Sequence, residues 1–413
     1  MISVLFVSHS AELNGAELWL LETLRRLDRK VFSPALVVPR PGPLGAEAEK
    51  ANVPVEVVPM KWWVTEKRNV WRQPLAWALN RPAVRRIAAI ARERKAEVVV
   101  SNSAATFGGV LAARRAGIPH VWSIHEILDG ERAFLHYFHG ARKLIRFILN
   151  HSARVIVNSE ATRAVFPASD KIVLIYNGLV IHQGDPEIHD IILAEFGLED
   201  GERAIGVIGK FYPGKGQKEV LQAVALLAER YPDLKLIFLG TAADSRYEQE
   251  LRRITRLSGL FRRVYFGGYR SDLVEVLQTL SVVVVASVVE SFGRAALEGM
   301  AAGVPVLAVR AGGLTEIVEP GTNGFLAESR EPEVLATALA DILDHPERRA
   351  EIVKNGYRTV REKYSIESQI SGVENVLRDV CGRALFVPPL FDDGRDGPLF
   401  ASARGRDGEE GQG

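Results

Sequence analysis

One cysteine, Cys381, is all that 413 residues contain, so no disulfide can form within the chain. That scarcity fits a reducing compartment. No apolar run reaches the roughly 18 residues of a membrane-spanning helix. The opening Met1-Ile2-Ser3-Val4-Leu5-Phe6-Val7-Ser8 lacks a basic flank and is too short for a secretory leader, so a cytoplasmic location is expected. Charge of one sign is missing too. The net charge is +1, which gives no overall field toward nucleic acid or membrane. Neither half contains Gly-x-Gly-x-x-Gly, so nothing points to NAD or FAD. The nine histidines show no metal-ligand spacing, and Cys381 has no second thiol to join it. There is no internal repeat with a period of about 20 to 50 residues.

What is present is a soluble composition, 47% hydrophobic with 25% charged residues, in a chain too long for one ordinary core. Two domains of about 180 residues are the natural expectation. Apolar runs recur at Val4–Val7, Ala35–Val38, Val55–Val58, Val98–Val100, Val121–Ile124, Val155–Val157 and Ile172–Ile175. Helical periodicity fills most of the gaps, as in Ala16–Leu27, Pro74–Arg94 and Ala133–Asn150. The alternation predicts α/β architecture with a mainly parallel sheet. A polar stretch at 179–190 reads as a linker. The pattern then restarts at Ala204–Ile208, Lys235–Leu239, Arg263–Phe266, Val282–Val285 and Val304–Val309. Helices are expected at Pro332–Leu343, Pro346–Tyr364 and Ile366–Cys381. Beyond about residue 390 the chain is rich in Gly, Asp and Arg, a disordered composition in which Asp392-Asp393 is no metal motif.

Two segments carry chemistry. Val282–Val285 runs into Ala286-Ser287-Val288-Val289-Glu290-Ser291-Phe292-Gly293, then a short helix bearing Glu298, then Val304-Pro305-Val306-Leu307. Glu290, Phe292 and Gly293 therefore fall at the carboxyl end of a buried strand, where open parallel sheets bind ligands. Gly293 would let a ligand come near the backbone, and amides opening the helix suit an anion or hydroxyls. Glu298, about 7 Å along that helix, needs a partner. The second segment is Gly209-Lys210-Phe211-Tyr212-Pro213-Gly214-Lys215-Gly216. It is a near-miss P-loop with Gly216 where the magnesium-holding Ser or Thr should stand, which counts against nucleotide hydrolysis.

The first of these resembles the Glu-x7-Glu signature of the family 4 glycosyltransferases, retaining enzymes with two Rossmann-like domains facing each other across a cleft, the GT-B fold. The resemblance implies that Glu290 touches the transferred sugar, the Phe292 and Gly293 amides hold sugar hydroxyls, and Glu298 bonds the ribose. Lys210 and Lys215 then look like the cation pair that grips the donor diphosphate in place of a metal. Relatives mostly carry Arg at position 210, and Lys lacks its bidentate fork. Gly312-Gly313 resembles the family's Gly-Gly-x-x-Glu segment. Gly15 keeps one glycine of a Gly-Gly turn near the leaving phosphate, and Asn14, in place of the other, tolerates the left-handed conformation. Ile124-His125-Glu126 ends another strand, with His125 expected against the sugar. Asn158-Ser159 and Asn177-Gly178 match further landmarks and also read as turn and cap residues.

Residues 60–95 carry ten Lys/Arg against two Glu, with Trp62, Trp63, Trp71 and Trp77 interleaved. A face docking on an anionic bilayer would look like this, as would a solvated basic helix whose tryptophans are core. The expected organisation is a first domain over 1–180 presenting the acceptor, with 365–385 packing back on it, and a nucleotide-sugar domain over 190–362. A disordered tail over 390–413 follows. The expected activity is metal-independent, retaining transfer from a nucleotide-diphosphate sugar to a glycan or lipid-linked acceptor, with no nucleic-acid partner and no cofactor. An epimerase on the same fold and an inactive nucleotide-binding subunit remain as alternatives.

Overall fold

The computed structural model describes residues 1–64, 73–129, 136–199, 202–242 and 245–382. Seven strands build one sheet: β1 (Ile2–Ser8), β2 (Phe32–Val38), β3 (Val55–Val57), β4 (Val98–Asn102), β5 (His120–Ile124), β6 (Arg154–Val157) and β7 (Ile172–Leu174). Their order is β3-β2-β1-β4-β5-β6-β7. Six more build a second: β8 (Ala204–Ile208), β9 (Lys235–Leu239), β10 (Val264–Gly268), β11 (Val282–Val285), β12 (Val306–Val309) and β13 (Phe325–Ala327). These run β10-β9-β8-β11-β12-β13. Paired strands in both sheets are parallel.

Helices cover both faces of such sheets, so central strands read as unbroken apolar runs; all four residues of β11 are buried. The strand order reverses between β1 and β4 and again between β8 and β11. Crossovers leave those junctions toward opposite faces and open a crevice at the carboxyl strand ends. Ser8 lies beside Asn102 at the first junction. β8 runs into Gly209-Lys210 and β11 into Ala286-Ser287 at the second.

The last described helix, Ile366–Gly382, returns to the first sheet. Its Val373, Val376, Leu377 and Val380 are buried with Trp19, Leu20 and Leu24 of the helix Gly15–Arg26. Gln369 fastens the crossing. It accepts from the Gly178 N–H at 2.7 Å and donates to Thr23 Oγ1 at 3.0 Å.

The helix expected over Ala133–Asn150 begins only at Ala141 and ends at His151, and four further details depart from the sequence expectation. The single helix expected over Pro74–Arg94 is two, Gln73–Leu79 and Arg81–Glu93. Pro82 opens the second, and the Asn80 side chain between them bonds both the N–H and the carbonyl of Lys61, at 2.7 and 2.8 Å. The expected linker 179–190 contains the start of a helix, Pro186–Glu195, which Asp185 caps through the Glu187 N–H. Strand β13 was not foreseen, because three residues are too few for a periodicity.

The fourth concerns the tryptophans of 60–95. Trp63 is fully buried, 6.1 Å from the stacked ring of Trp122, and Trp77 stacks on Phe107 at 4.3 Å. Trp63 is core and Trp77, partly buried, packs against it, so both rings are engaged within the protein. Trp62 is 43% exposed, while Trp71 lies outside the described residues, as does the tail expected over 390–413. Among the described residues no helix is long and apolar enough to cross a membrane.

Candidate functional site

The chain leaving β8 turns through Pro213–Lys215 and enters the helix Gln217–Leu227 at Gly216. Gly216 has φ +75, and a Cβ there would meet the Ala286 carbonyl oxygen at 2.2 Å. A Ser or Thr cannot stand at that position without moving the β11 loop. The packing thus requires glycine where a P-loop carries its hydroxyl.

That close approach brings Lys215 to the β11 loop. Its Nζ lies 2.6 Å from Glu290 Oε2, and the same oxygen accepts from Ser287 Oγ at 2.9 Å. Both ends are mostly enclosed, with side chains 24% and 14% exposed. Burial acts to lower the Lys215 pKa, but Glu290 and Tyr212 beside it outweigh this and hold it above its usual value. The ammonium is therefore firmly charged. Lys210, one turn earlier, is exposed, and its charge is felt by His9 and Glu17 of the first domain.

The Glu290 loop is fixed from the other side by Gly312 and Gly313. The Gly313 N–H donates to the Glu290 carbonyl at 2.8 Å. Phe292 is 3% exposed and packs on Tyr176 and Tyr364, so only its backbone is free to meet a ligand. Gly293 has φ +114 and caps the helix Arg294–Ala301. Its missing side chain faces Leu314 Cδ2, at 2.6 Å from where a Cβ would sit, so the close approach it permits is to that leucine. Glu298 has the partner it needs, Arg294 Nε at 2.8 Å one turn back. Both line a cavity of about 180 Å³ together with Ser271, Leu273 and, from the first domain, Glu22.

On the first domain, His125 follows β5 and is 8% exposed. Its Nε2 lies 2.8 Å from Asn102 Oδ1 and 3.0 Å from Ser123 Oγ, and its Nδ1 has no hydrogen-bond partner. With Nε2–H donating to Asn102, Nδ1 is left as an unfilled acceptor. Ile127, two residues on, lies 3.2 Å from a Cβ built on Gly312, so this loop faces the Glu290 loop across the cleft. Gly15 starts its helix with nothing within 4 Å of a built Cβ. Asn14 is extended, at φ −100, and does not adopt the left-handed turn expected of it. It instead joins Glu17 in a capping box, its N–H donating to Glu17 Oε2 at 3.2 Å.

Residues that the sequence did not single out complete this side. His9 follows β1, with Nε2 3.2 Å from Glu17 Oε1 and Nδ1 3.2 Å from the Asn102 carbonyl. Glu126 binds Ser103 Oγ and the amides of Ala104 and His125. Applying the strand-end rule to Ser8-His9-Ser10 would have found His9, whereas Glu126 stands in the Ile124-His125-Glu126 motif without a role assigned to it. Among the described residues no group of His, Cys, Asp and Glu could hold a metal ion.

Burial presses the His125 pKa down to about 3, with His9 adding to it, and burial does the same to His120, with His151 adding. Unfolded histidine takes up its proton near 6.5, so the stability that these neutral rings contribute is complete above that pH. It is lost as pH falls from 6.5 toward 3. Each should cost about 2 kcal/mol by about pH 5. Thermal melts from neutral to about pH 5 are expected to show a steep fall in Tm; a flat profile would contradict the buried, neutral assignment.

Glu316, of the Gly312-Gly313-x-x-Glu segment, joins the domains. Its two carboxylate oxygens accept the N–H groups of Glu160 and Ala161, both at 2.8 Å. Its carbonyl accepts from Tyr364 Oη at 3.0 Å. Charge-assisted bonds of this kind hold the relative position of the two sheets. Glu316→Ala is expected to lower kcat/KM about tenfold with Tm little changed, which steady-state kinetics and a melt would check.

Residues 189–359 match the model described as "Glycosyl transferases group 1", and residues 13–183 match "Glycosyltransferase Family 4". A D-inositol 3-phosphate glycosyltransferase of Corynebacterium urealyticum is 36% identical over 159 residues, 37% of this chain and 38% of that protein. This chain thus spans about two fifths of that relative's length. An uncharacterised glycosyltransferase of Methanocaldococcus jannaschii is 29% identical over 64% of this chain and 71% of its own length. Anabaena HepE, solved with UDP and glucose, superposes with a TM-score of 0.77 at 26% identity, covering 91% of this chain and 99% of that one. Sucrose-phosphate synthase from Thermosynechococcus elongatus shares the fold at 18% identity, with a TM-score of 0.71 over 92% of this chain and 100% of that one. The chain belongs to the family 4 glycosyltransferases, and its paired parallel sheets are the GT-B fold.

Proposed function

We propose that the chain is a retaining, metal-independent glycosyltransferase of the cytoplasm. It moves a sugar from a nucleotide-diphosphate donor to a hydroxyl of a glycan or lipid-linked acceptor in cell-surface polysaccharide or glycolipid synthesis. The observation that carries this reading is the Lys215–Glu290 contact of 2.6 Å at the ends of β8 and β11, with Lys210 exposed on the same loop.

Breaking the anomeric C–O bond leaves negative charge on the departing diphosphate and positive charge on the sugar ring. Lys215 and Lys210 answer the first. When a diphosphate takes Glu290's place beside Lys215, the carboxylate is released to accept sugar hydroxyls. The Phe292 and Gly293 amides and His125 Nδ1 would hold the rest of the ring, Glu298 the ribose, and the Gly15 amide the leaving phosphate. The acceptor proton passes to the departing phosphate, so no separate general base is required. HepE binds UDP-glucose, which makes UDP-sugars the first donors to try.

Incubation with UDP-, GDP- and ADP-sugars, with EDTA present, tests the reading. Release of nucleoside diphosphate supports it, and a donor at about 100 times its Kd should add about 2.7 kcal/mol of stability. Isomerised donor with no release would instead identify an epimerase, and stabilisation without turnover a binding subunit. A requirement for divalent metal would refute the ammonium mechanism.

A further inference from the structure

A hollow of about 440 Å³ opens at the carboxyl ends of β1, β2 and β3 and adjoins the site described above through His9. Its lining includes His9, Arg40, Lys61, Trp62, Leu79 and Asn80. Three features mark it as a built surface. The Trp62 indole N–H is tied to the His9 carbonyl at 2.8 Å, yet the ring is 43% exposed, so a flat aromatic face is held in place. Leu79, 53% exposed, extends that apolar surface. Lys61 is anchored through its backbone by Asn80, and its ammonium makes no ion pair among the described residues. Arg40 uses one amino group on Glu12 at 2.5 Å, and its side chain is 66% exposed, so most of its donors stay available.

An aromatic face beside exposed cations is chemistry for a ring that is apolar on one side and anionic at its edge. The position says which role it serves. The His9 ring lies 5.3 Å from Trp62, and its Nε2 lies 3.2 Å from Glu17 of the helix that Gly15 opens. The hollow therefore borders the diphosphate end of the proposed donor site.

We infer that this hollow is the acceptor subsite and that it takes a saccharide or polyol bearing a phosphate or carboxylate. The ring stacks on Trp62, and the anion sits between Lys61 and Arg40. The inference rests on the glycosyl-transfer reading. One acceptor oxygen bonds to the anomeric carbon as the bond from that carbon to the diphosphate oxygen breaks, and the hydroxyl proton leaves on the diphosphate.

The test is a panel of acceptors at fixed donor, scored by nucleoside diphosphate release. It pairs glucose 6-phosphate and glucuronate with glucose, and inositol 1-phosphate and detergent-dispersed phosphatidylinositol with inositol. Charged members are expected to exceed their neutral parents at least tenfold in kcat/KM. Whichever inositol form is faster says whether the anion is free or lipid-borne. Combined Lys61→Ala and Arg40→Ala should bring the charged-to-neutral ratio toward one, Lys61→Arg with Arg40→Lys should restore it, and Trp62→Ala should raise KM for every member. Equal use of neutral and charged members, no stimulation by any member, or an unchanged ratio in the double variant would overturn the inference. Thermal stabilisation by the charged members with no turnover of any nucleotide-sugar would instead sink the transfer reading and leave an anionic-sugar site.

Discussion

Lys215→Ala is expected to lower sugar transfer at least a hundredfold, or about 2.7 kcal/mol of transition-state stabilisation. The magnitude follows from what the ammonium faces. It sits in an enclosed site where charge develops on the leaving diphosphate, and such fixed charges act more strongly there than in water. Glu290→Ala should cost as much, because the same pocket then holds an unanswered cation and loses the acceptor for the sugar hydroxyls. The double variant should be little worse than either single one, since groups acting as a unit do not add. Each single variant leaves one charge of an enclosed pair unanswered, so some loss of stability is expected and activity is compared well below each variant's melting transition. Near-normal kcat/KM in either single variant would remove these roles.

Gly312→Ala should be among the most damaging small substitutions in the site. Gly312 has φ +47, and a Cβ would lie 2.1 Å from the Glu290 carbonyl oxygen. That oxygen cannot yield without breaking its bond to the Gly313 N–H, which is what holds the loop. A left-handed alanine plus a backbone clash should destabilise by about 3 kcal/mol or more and carry activity down with it. Gly15→Ala is the contrasting case, because no atom lies within 4 Å of a Cβ there. Its Tm should stay unchanged while the donor KM rises about tenfold, if that opening is where the leaving phosphate sits. Melting curves and donor titrations of both variants check this pair. Equal melting of Gly312→Ala and the parent would contradict the packing described.

Much of the fold was legible because parallel strands covered on both faces must be apolar throughout. Val98–Val100 and Val282–Val285 announce themselves in that way, whereas Phe325–Ala327 is too short to do so. The tryptophans of 60–95 show the opposite difficulty. Trp62 and Trp63 are sequence neighbours, yet one is surface and the other core, and only the tertiary contacts with Trp122 and Phe107 decide it. At the site, the carboxylates and lysines could be named from their places at strand ends. Their partners could not, because Lys215 meets Glu290 across 75 residues and Glu316 meets Glu160 across 156. Gly293 illustrates a limit of reading glycine: its missing side chain makes room for Leu314, a neighbour that the motif does not contain.

The most direct test of the whole account is a calorimetric titration of UDP, GDP and ADP, each beside its monophosphate, into the parent protein and Lys215→Ala without divalent metal. The preferred diphosphate is expected to bind the parent at least tenfold more tightly than its monophosphate, and Lys215→Ala is expected to erase most of that difference. Equal binding of diphosphate and monophosphate by the parent, or a preference untouched by the substitution, would contradict it.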